Sequence, residues 1–107
     1  GYKRTIVVFQ PHTYSRTKAL LSEFADALKN AEHVILADIY AARETDTLGI
    51  SSEILMNEIN KRGGNAVYFP SFSEIEIFLL KNCNPNDMLI TMGAGDIYRV
   101  GEELLGD

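Results

Sequence analysis

The chain has 107 residues, 46% of them apolar and 23% charged, with a net charge of −5. That length makes one domain with a single core, short for an enzyme that holds two or three substrates unaided, and the acidic balance argues against a general nucleic-acid binder, which needs a basic face. No apolar run approaches the roughly 18 residues of a membrane span, the basic start lacks a signal peptide's apolar region, and a single cysteine, Cys83, excludes an internal disulfide and fits a reducing compartment, so a cytoplasmic location is expected.

Four short apolar runs, Thr5 to Phe9, His33 to Asp38, Ala66 to Phe69 and Met88 to Met92, read as buried parallel strands. Each is followed by a helical pattern, so the chain is a βα repeat. Between Ser15 and Asn30 the residues Leu20, Leu21, Phe24, Ala27, Leu28 and Ala31 recur at steps of three and four, which predicts one helix with one buried face. A second helix, about Ser51 to Arg62, stops at Gly63-Gly64, a left-handed cap. Ser71 and Glu74 form a capping box ahead of Ile75, Phe78 and Leu79, and Asn84-Pro85 ends that helix. The last helix is expected from about Asp96 to Leu105, with Ile97, Val100 and Leu104 inward.

The fold class is therefore α/β, a three-layer α/β/α Rossmann-like domain with a mainly parallel sheet. Strand order 3-2-1-4 places the first and last strands side by side with their connections leaving in opposite directions, which opens a crevice at the strands' carboxyl ends. The two loops bordering it are Gln10 to Arg16 and Gly93 to Asp96. An ordinary βα connection needs only two to six residues, whereas the first of these carries Gln10, His12, Tyr14 and Arg16, which marks a binding loop.

Arg16 offers a planar fork for a carboxylate or phosphate; the plainer reading is a solvated or helix-paired cation. Its place in a helix's first turn, against the positive end of the dipole, favours a bound anion. His12, with an unperturbed pKa near 6.5, can orient a substrate or exchange a proton, or simply make a structural hydrogen bond. Tyr14 stacks on a planar ligand or packs its loop onto the sheet. Ser15 caps the helix. Gly93, Ala94 and Gly95 open a helix with free amides at the crevice, unless Asp96 caps those amides itself. Asp38 ends the second strand, and the long loop to Gly49 is functional or solvent-facing, with Arg43, Glu44 and Asp46 open to either reading. Residues 1–22 hold Lys3, Arg4, Arg16 and Lys18 and no acid, which gives a local positive field suited to a small anion or a chance cluster on a solvated face. No P-loop, dinucleotide fingerprint or His/Cys metal-ligand spacing occurs, and no nucleophile stands beside a base as a self-sufficient hydrolase requires.

The blocks Phe9-Gln10-Pro11-His12-Thr13-Tyr14-Ser15-Arg16-Thr17, Asp38-Ile39-Tyr40-Ala41-Ala42-Arg43-Glu44 and Thr91-Met92-Gly93-Ala94-Gly95-Asp96 resemble, in order and spacing, the carboxy-terminal domain of the Mur ligase family, in its L-alanine-adding branch. The resemblance implies that residues 1–107 are a fragment of a three-domain enzyme that uses ATP and Mg²⁺, bound mainly by the other two domains, to join L-alanine to UDP-N-acetylmuramate in peptidoglycan precursor synthesis through an acyl phosphate. The central ATP-binding and amino-terminal UDP-sugar domains would be its partners, with no nucleic acid and no membrane. The fragment alone is expected to be inactive, with no catalytic residue and no metal site of its own. Substrate contacts are implied at His12, Tyr14, Arg16, Gly93, Ala94, Gly95 and Asp96. Thr13 stands where many members carry Arg, so one positive contact is missing or comes from Lys18 or Lys3. The family's preceding strand and helix are not in the chain, so an exposed sheet edge is expected. The alternative is a free-standing module binding a small anion or a nucleotide.

Overall fold

A computed structural model describes residues 5–83 and 87–93. In chain order the elements are β1 (Thr5–Gln10), α1 (Tyr14–Ala19), α2 (Leu21–Leu28), β2 (His33–Leu36), α3 (Ser52–Lys61), β3 (Ala66–Tyr68), α4 (Phe72–Asn82) and β4 (Met88–Gly93). The strands form one parallel sheet in the order β3-β2-β1-β4, as the crevice argument requires.

β1 is apolar without alternation because both of its faces are covered, the usual condition of a parallel strand. Val7 and Phe9 join Val34, Leu36, Ala25, Leu28, Leu55 and Ile59 in one core under α2 and α3. Ile6 and Val8 point the other way and join Ile35, Ala37, Ile75 and Leu79 under α4. These two clusters on opposite faces are the three layers. Phe9 meets Phe24 at a centroid distance of 5.4 Å, and Phe69 meets Phe78 at 5.2 Å, both within the range of favourable tilted ring pairs. Among the described residues no helix is long and apolar enough to cross a membrane.

The single helix expected from Ser15 to Asn30 is two. Leu20 stands between α1 and α2 at φ −109°, ψ 20°, in the bridge region. The periodicity was real but covered two differently aimed segments: α1 buries Thr17, whereas α2 drops Ala25 and Leu28 into the core. Ala27, expected inward, is exposed, since the re-aimed helix turns that position to solvent. A second correction concerns β4. It was expected to be buried, yet Met88, Ile90 and Met92 are exposed at 48%, 37% and 42%, because β4 is an edge strand with no described helix over that face. The helix expected from Asp96 to Leu105, and the Asn84-Pro85 stop, lie outside the described residues.

The later caps follow the sequence signals. Ser51 and Ser71 accept the Ile54 and Glu74 amides at 3.2 and 3.3 Å. α3 ends at Gly63, in the left-handed region at φ +93°, and Gly64 then turns so close beneath the helix that a Cβ there would stand 2.5 Å from the Ile59 methyl and 2.9 Å from its carbonyl oxygen. Gly63 has open space around it, so Gly63→Ala meets only the backbone strain of a positive φ, about 1 kcal/mol. Gly64→Ala must instead displace the Ile59 side chain and nearby main chain and should be the more destabilising of the two, by about 1 kcal/mol or more; urea unfolding of both variants beside the parent checks the order.

Candidate functional site

β1 and β4 run in parallel register to their last residues, so Gln10 faces Gly93 directly. The two loops singled out from the sequence therefore start side by side. Ala94, Gly95 and Asp96 lie outside the described residues, and the site is built here from the β1–α1 loop and the β2–α3 loop across from it.

These two loops are sewn together by the main chain. The Tyr40 amide donates to the Pro11 carbonyl at 2.9 Å, and the Thr13 amide donates to the Tyr40 carbonyl at 2.8 Å. The β1–β2 ladder thus continues past both strands as a parallel bridge between His12 and Tyr40, whose rings stack at 5.6 Å and 25°. Gln10, buried, adds a side-chain bond from Nε2 to the Asp38 carbonyl at 3.2 Å, leaving its Oε1 buried with no hydrogen-bond partner among the described residues.

Thr13 is the strained point. Its φ of +64° and ψ of 149° belong to a region essentially reserved for glycine. The conformation is held by local bonds: Thr13 Oγ1 accepts the Arg16 amide at 3.3 Å, and the Thr13 carbonyl accepts the Thr17 hydroxyl at 2.7 Å. A strain of about 1–3 kcal/mol against neutral bonds of about 0.5–1.5 kcal/mol net apiece leaves little margin, so the loop depends on further restraint.

Glu44 supplies it. Its Oε1 accepts the amides of Tyr14 and, at 3.1 Å, Ser15, and its Oε2 accepts the Ser15 hydroxyl. α1 has no acid in its own first turn, so a carboxylate from the neighbouring loop meets the positive end of the helix instead. Ser15, expected to cap the helix, does not: Thr13 is the N-cap, and the Ser15 hydroxyl donates outward to Glu44. The physical reason is register, since the N-cap lies two residues before Ser15 and so places Ser15 inside the first turn.

The remaining residues divide as follows. Tyr14 is half-buried and lines a cavity of about 240 Å³ with Asp38, Thr47, Ile50 and Ser51. His12 is exposed on the rim, stacked as described. Arg16 and Lys18 on α1, and Arg43 beside Glu44, are exposed and make no ion pair among the described residues. The dipole argument for Arg16 does not hold, because α1 is only six residues long and Arg16 falls in its last turn as much as its first. What remains is that Arg16 has no ion-pair partner among the described residues. Asp38 accepts the Tyr68 hydroxyl, and that bond, with burial and the charges of Asp38, Glu53 and Glu74, pushes the Tyr68 phenol up to about 12. Among the described residues no group of three His, Cys, Asp or Glu side chains could hold a metal ion.

Sequence reasoning missed Thr13, Tyr40 and the clamp at Glu44. The available signal was a helix start without an acid facing a loop that contains one.

Residues 1–95 match the family described as Mur ligase, glutamate ligase domain. The chain belongs to this Mur ligase family. A UDP-N-acetylmuramate--L-alanine ligase of Lachnospira eligens is 64% identical over 104 residues, 97% of this chain and 23% of that protein. Its counterpart from Agathobacter rectalis is 58% identical over the same shares. The chain thus spans about a quarter of the length of the curated relatives it matches. Among solved structures, the UDP-N-acetylmuramate-alanine ligase of Thermotoga maritima superposes with a TM-score of 0.69 at 21% identity, covering 98% of this chain and 20% of that one, which shows the shared fold.

The Glu44 clamp has a pH signature. Its carboxyl is held below the ordinary value of 4.5, first by the Ser15 hydroxyl, then by the Ser15 and Tyr14 amides and the charge of His12, against an opposing effect of burial. A depressed carboxyl stabilises above its unfolded pKa and loses that contribution as pH falls through the folded value. The step in the Tyr14 and Ser15 amide resonances that reports release of the clamp should therefore fall below the unfolded carboxylate range. Ser15→Ala should shift that transition to higher pH, as a ¹H–¹⁵N titration would show.

Proposed function

We propose that this chain is the carboxy-terminal domain of an ATP-dependent ligase that joins L-alanine to UDP-N-acetylmuramate through an acyl phosphate, and that its share of the work is to present the amino acid. Membership of the Mur ligase family and the names borne by its relatives support the reaction class. The observation on which the role rests is the sewn pair of loops at the sheet's carboxyl edge, which holds His12 and the start of α1 at one rim of the cleft while leaving the guanidinium of Arg16 exposed and without an ion pair among the described residues.

In this reading the carboxylate of UDP-N-acetylmuramate receives the γ-phosphoryl group of ATP elsewhere in the enzyme. The amine of L-alanine then attacks the acyl carbon, the C–O bond to phosphate breaks, and an amide forms as the amine sheds a proton. Arg16 holds the alanine carboxylate in two parallel hydrogen bonds. His12 lies beside the reacting amine and is suited to accept its proton or to orient it. Tyr14 walls the neighbouring cavity, Gly93 begins the facing side where it pairs with Gln10, and Ala94, Gly95 and Asp96, outside the described residues, are the further contacts assigned to substrate. Holding amine and acyl phosphate in attack geometry converts an encounter into an orientation, and closure of this domain on its neighbour keeps water from the acyl phosphate.

ATP and Mg²⁺ are given no site of their own in this chain, whose sequence has no P-loop. Both are assigned to the central ATP-binding domain, and UDP-N-acetylmuramate to the amino-terminal domain.

Arg16→Ala in the full-length enzyme tests the role. Losing a bidentate, charge-assisted contact should raise KM for L-alanine by about tenfold to a hundredfold, with KM for ATP and for the UDP-sugar within about twofold. Steady-state kinetics with each substrate varied in turn give the answer, and an unchanged alanine requirement would remove Arg16 from the site.

A further inference from the structure

We propose that Glu44 is a positioning residue for this site, acting through the backbone of the β1–α1 loop and not by touching substrate. The inference deepens the ligase reading and, where it concerns kinetics, rests on it. Three observations converge. Among the described residues Glu44 is the only side chain from another loop bonded to the start of α1, and it takes both the Tyr14 and Ser15 amides as well as the Ser15 hydroxyl. The residue immediately before those amides, Thr13, holds a backbone conformation that β-branched side chains avoid. The loop that brings Glu44 is itself shaped by Ala42 and Leu48 at φ +57° and +55°, with the Leu48 amide held by Asp46 Oδ1 at 2.9 Å.

A left-handed alanine two residues before Glu44 and a carboxylate closing on a strained threonine describe two loops that fix each other. Released from Glu44, Thr13 can relax toward an ordinary extended conformation. The first turn of α1 then rotates, and the guanidinium of Arg16 and the ring of His12 lose their common frame. Glu44 acts by charge and shape together. Glutamine keeps one accepting oxygen but presents an NH₂ group to donors already pointing inward, so it should hold the loop only in part.

The test uses the full-length enzyme with Glu44→Ala, Glu44→Gln and the pair Glu44→Ala/Thr13→Gly, read by hydrogen exchange of residues 12–17 and by substrate kinetics. Glu44→Ala should speed exchange at Tyr14 and Ser15 by about tenfold or more with the sheet unaffected, and raise KM for L-alanine about tenfold with KM for ATP unchanged. Glu44→Gln should fall between parent and Glu44→Ala in both readouts. Glycine at position 13 removes the strain that the clamp opposes, so the double variant should recover part of the lost alanine affinity. Unchanged exchange at Tyr14 and Ser15 overturns the clamp. Faster exchange throughout the sheet with all KM values raised alike reduces Glu44 to a general stabiliser and equally overturns it, as does a double variant no better than Glu44→Ala. Should the parent enzyme show no dependence on alanine, the ligase reading fails by itself, and the exchange data alone decide for or against the clamp.

Discussion

Everything at the functional edge follows from β1 being hydrogen-bonded on both sides by strands that run the same way. Its register with β2 and with β4 fixes where each strand stops, and hence which loops share an edge. Because all strands point in one direction, every βα connection of the sheet emerges at that edge, and the reversal of strand order around β1 separates two of them. The apolar run Ile6-Val7-Val8-Phe9 is what pins β1 in the middle: a residue pair on each face means that moving the strand to an edge would expose one complete set.

That same run made the architecture legible. Four short apolar segments separated by helical periodicity leave few parallel arrangements, of which 3-2-1-4 is the common one for such a repeat. The specific residues of the first loop were equally visible, since imidazole, phenol and guanidinium side chains are not needed to turn a corner. What could not be read was which backbone conformations those residues adopt. Nothing in the string His12-Thr13-Tyr14 announces a threonine at positive φ, because threonine is among the residues least expected there. The break at Leu20 was hidden for a related reason: spacing of three and four survives a change of helix axis, and no proline or glycine marks the joint. Glu44 was seen as an acid in a long loop, but its partner lies about thirty positions away in sequence and is a pair of amides and a hydroxyl, which no side-chain pattern records.

The two acids at this edge are used differently. Glu44 remains a charge, held down by the donors it faces, whereas Asp38 shares a proton-bearing partner in Tyr68 and raises that phenol well out of the physiological range. Asp38 therefore anchors the end of β2 to β3 through a group that stays protonated, and Glu44 ties the β2–α3 loop to the start of α1 through one that stays ionised. Neither arrangement draws on the cations of α1, which make no ion pair among the described residues.

The pairing of β1 with β4 also sets an order of events during synthesis. One wall of the cleft begins within the first ten residues of the sequence and the other ends beyond the ninetieth. A growing chain can complete the β1–β2–β3 half while still on the ribosome, but the crevice does not exist until β4 has emerged and docked beside β1. Early release thus yields a packed partial sheet with its two loops already sewn together but no β4 beside them, a product whose bare β1 edge invites self-association.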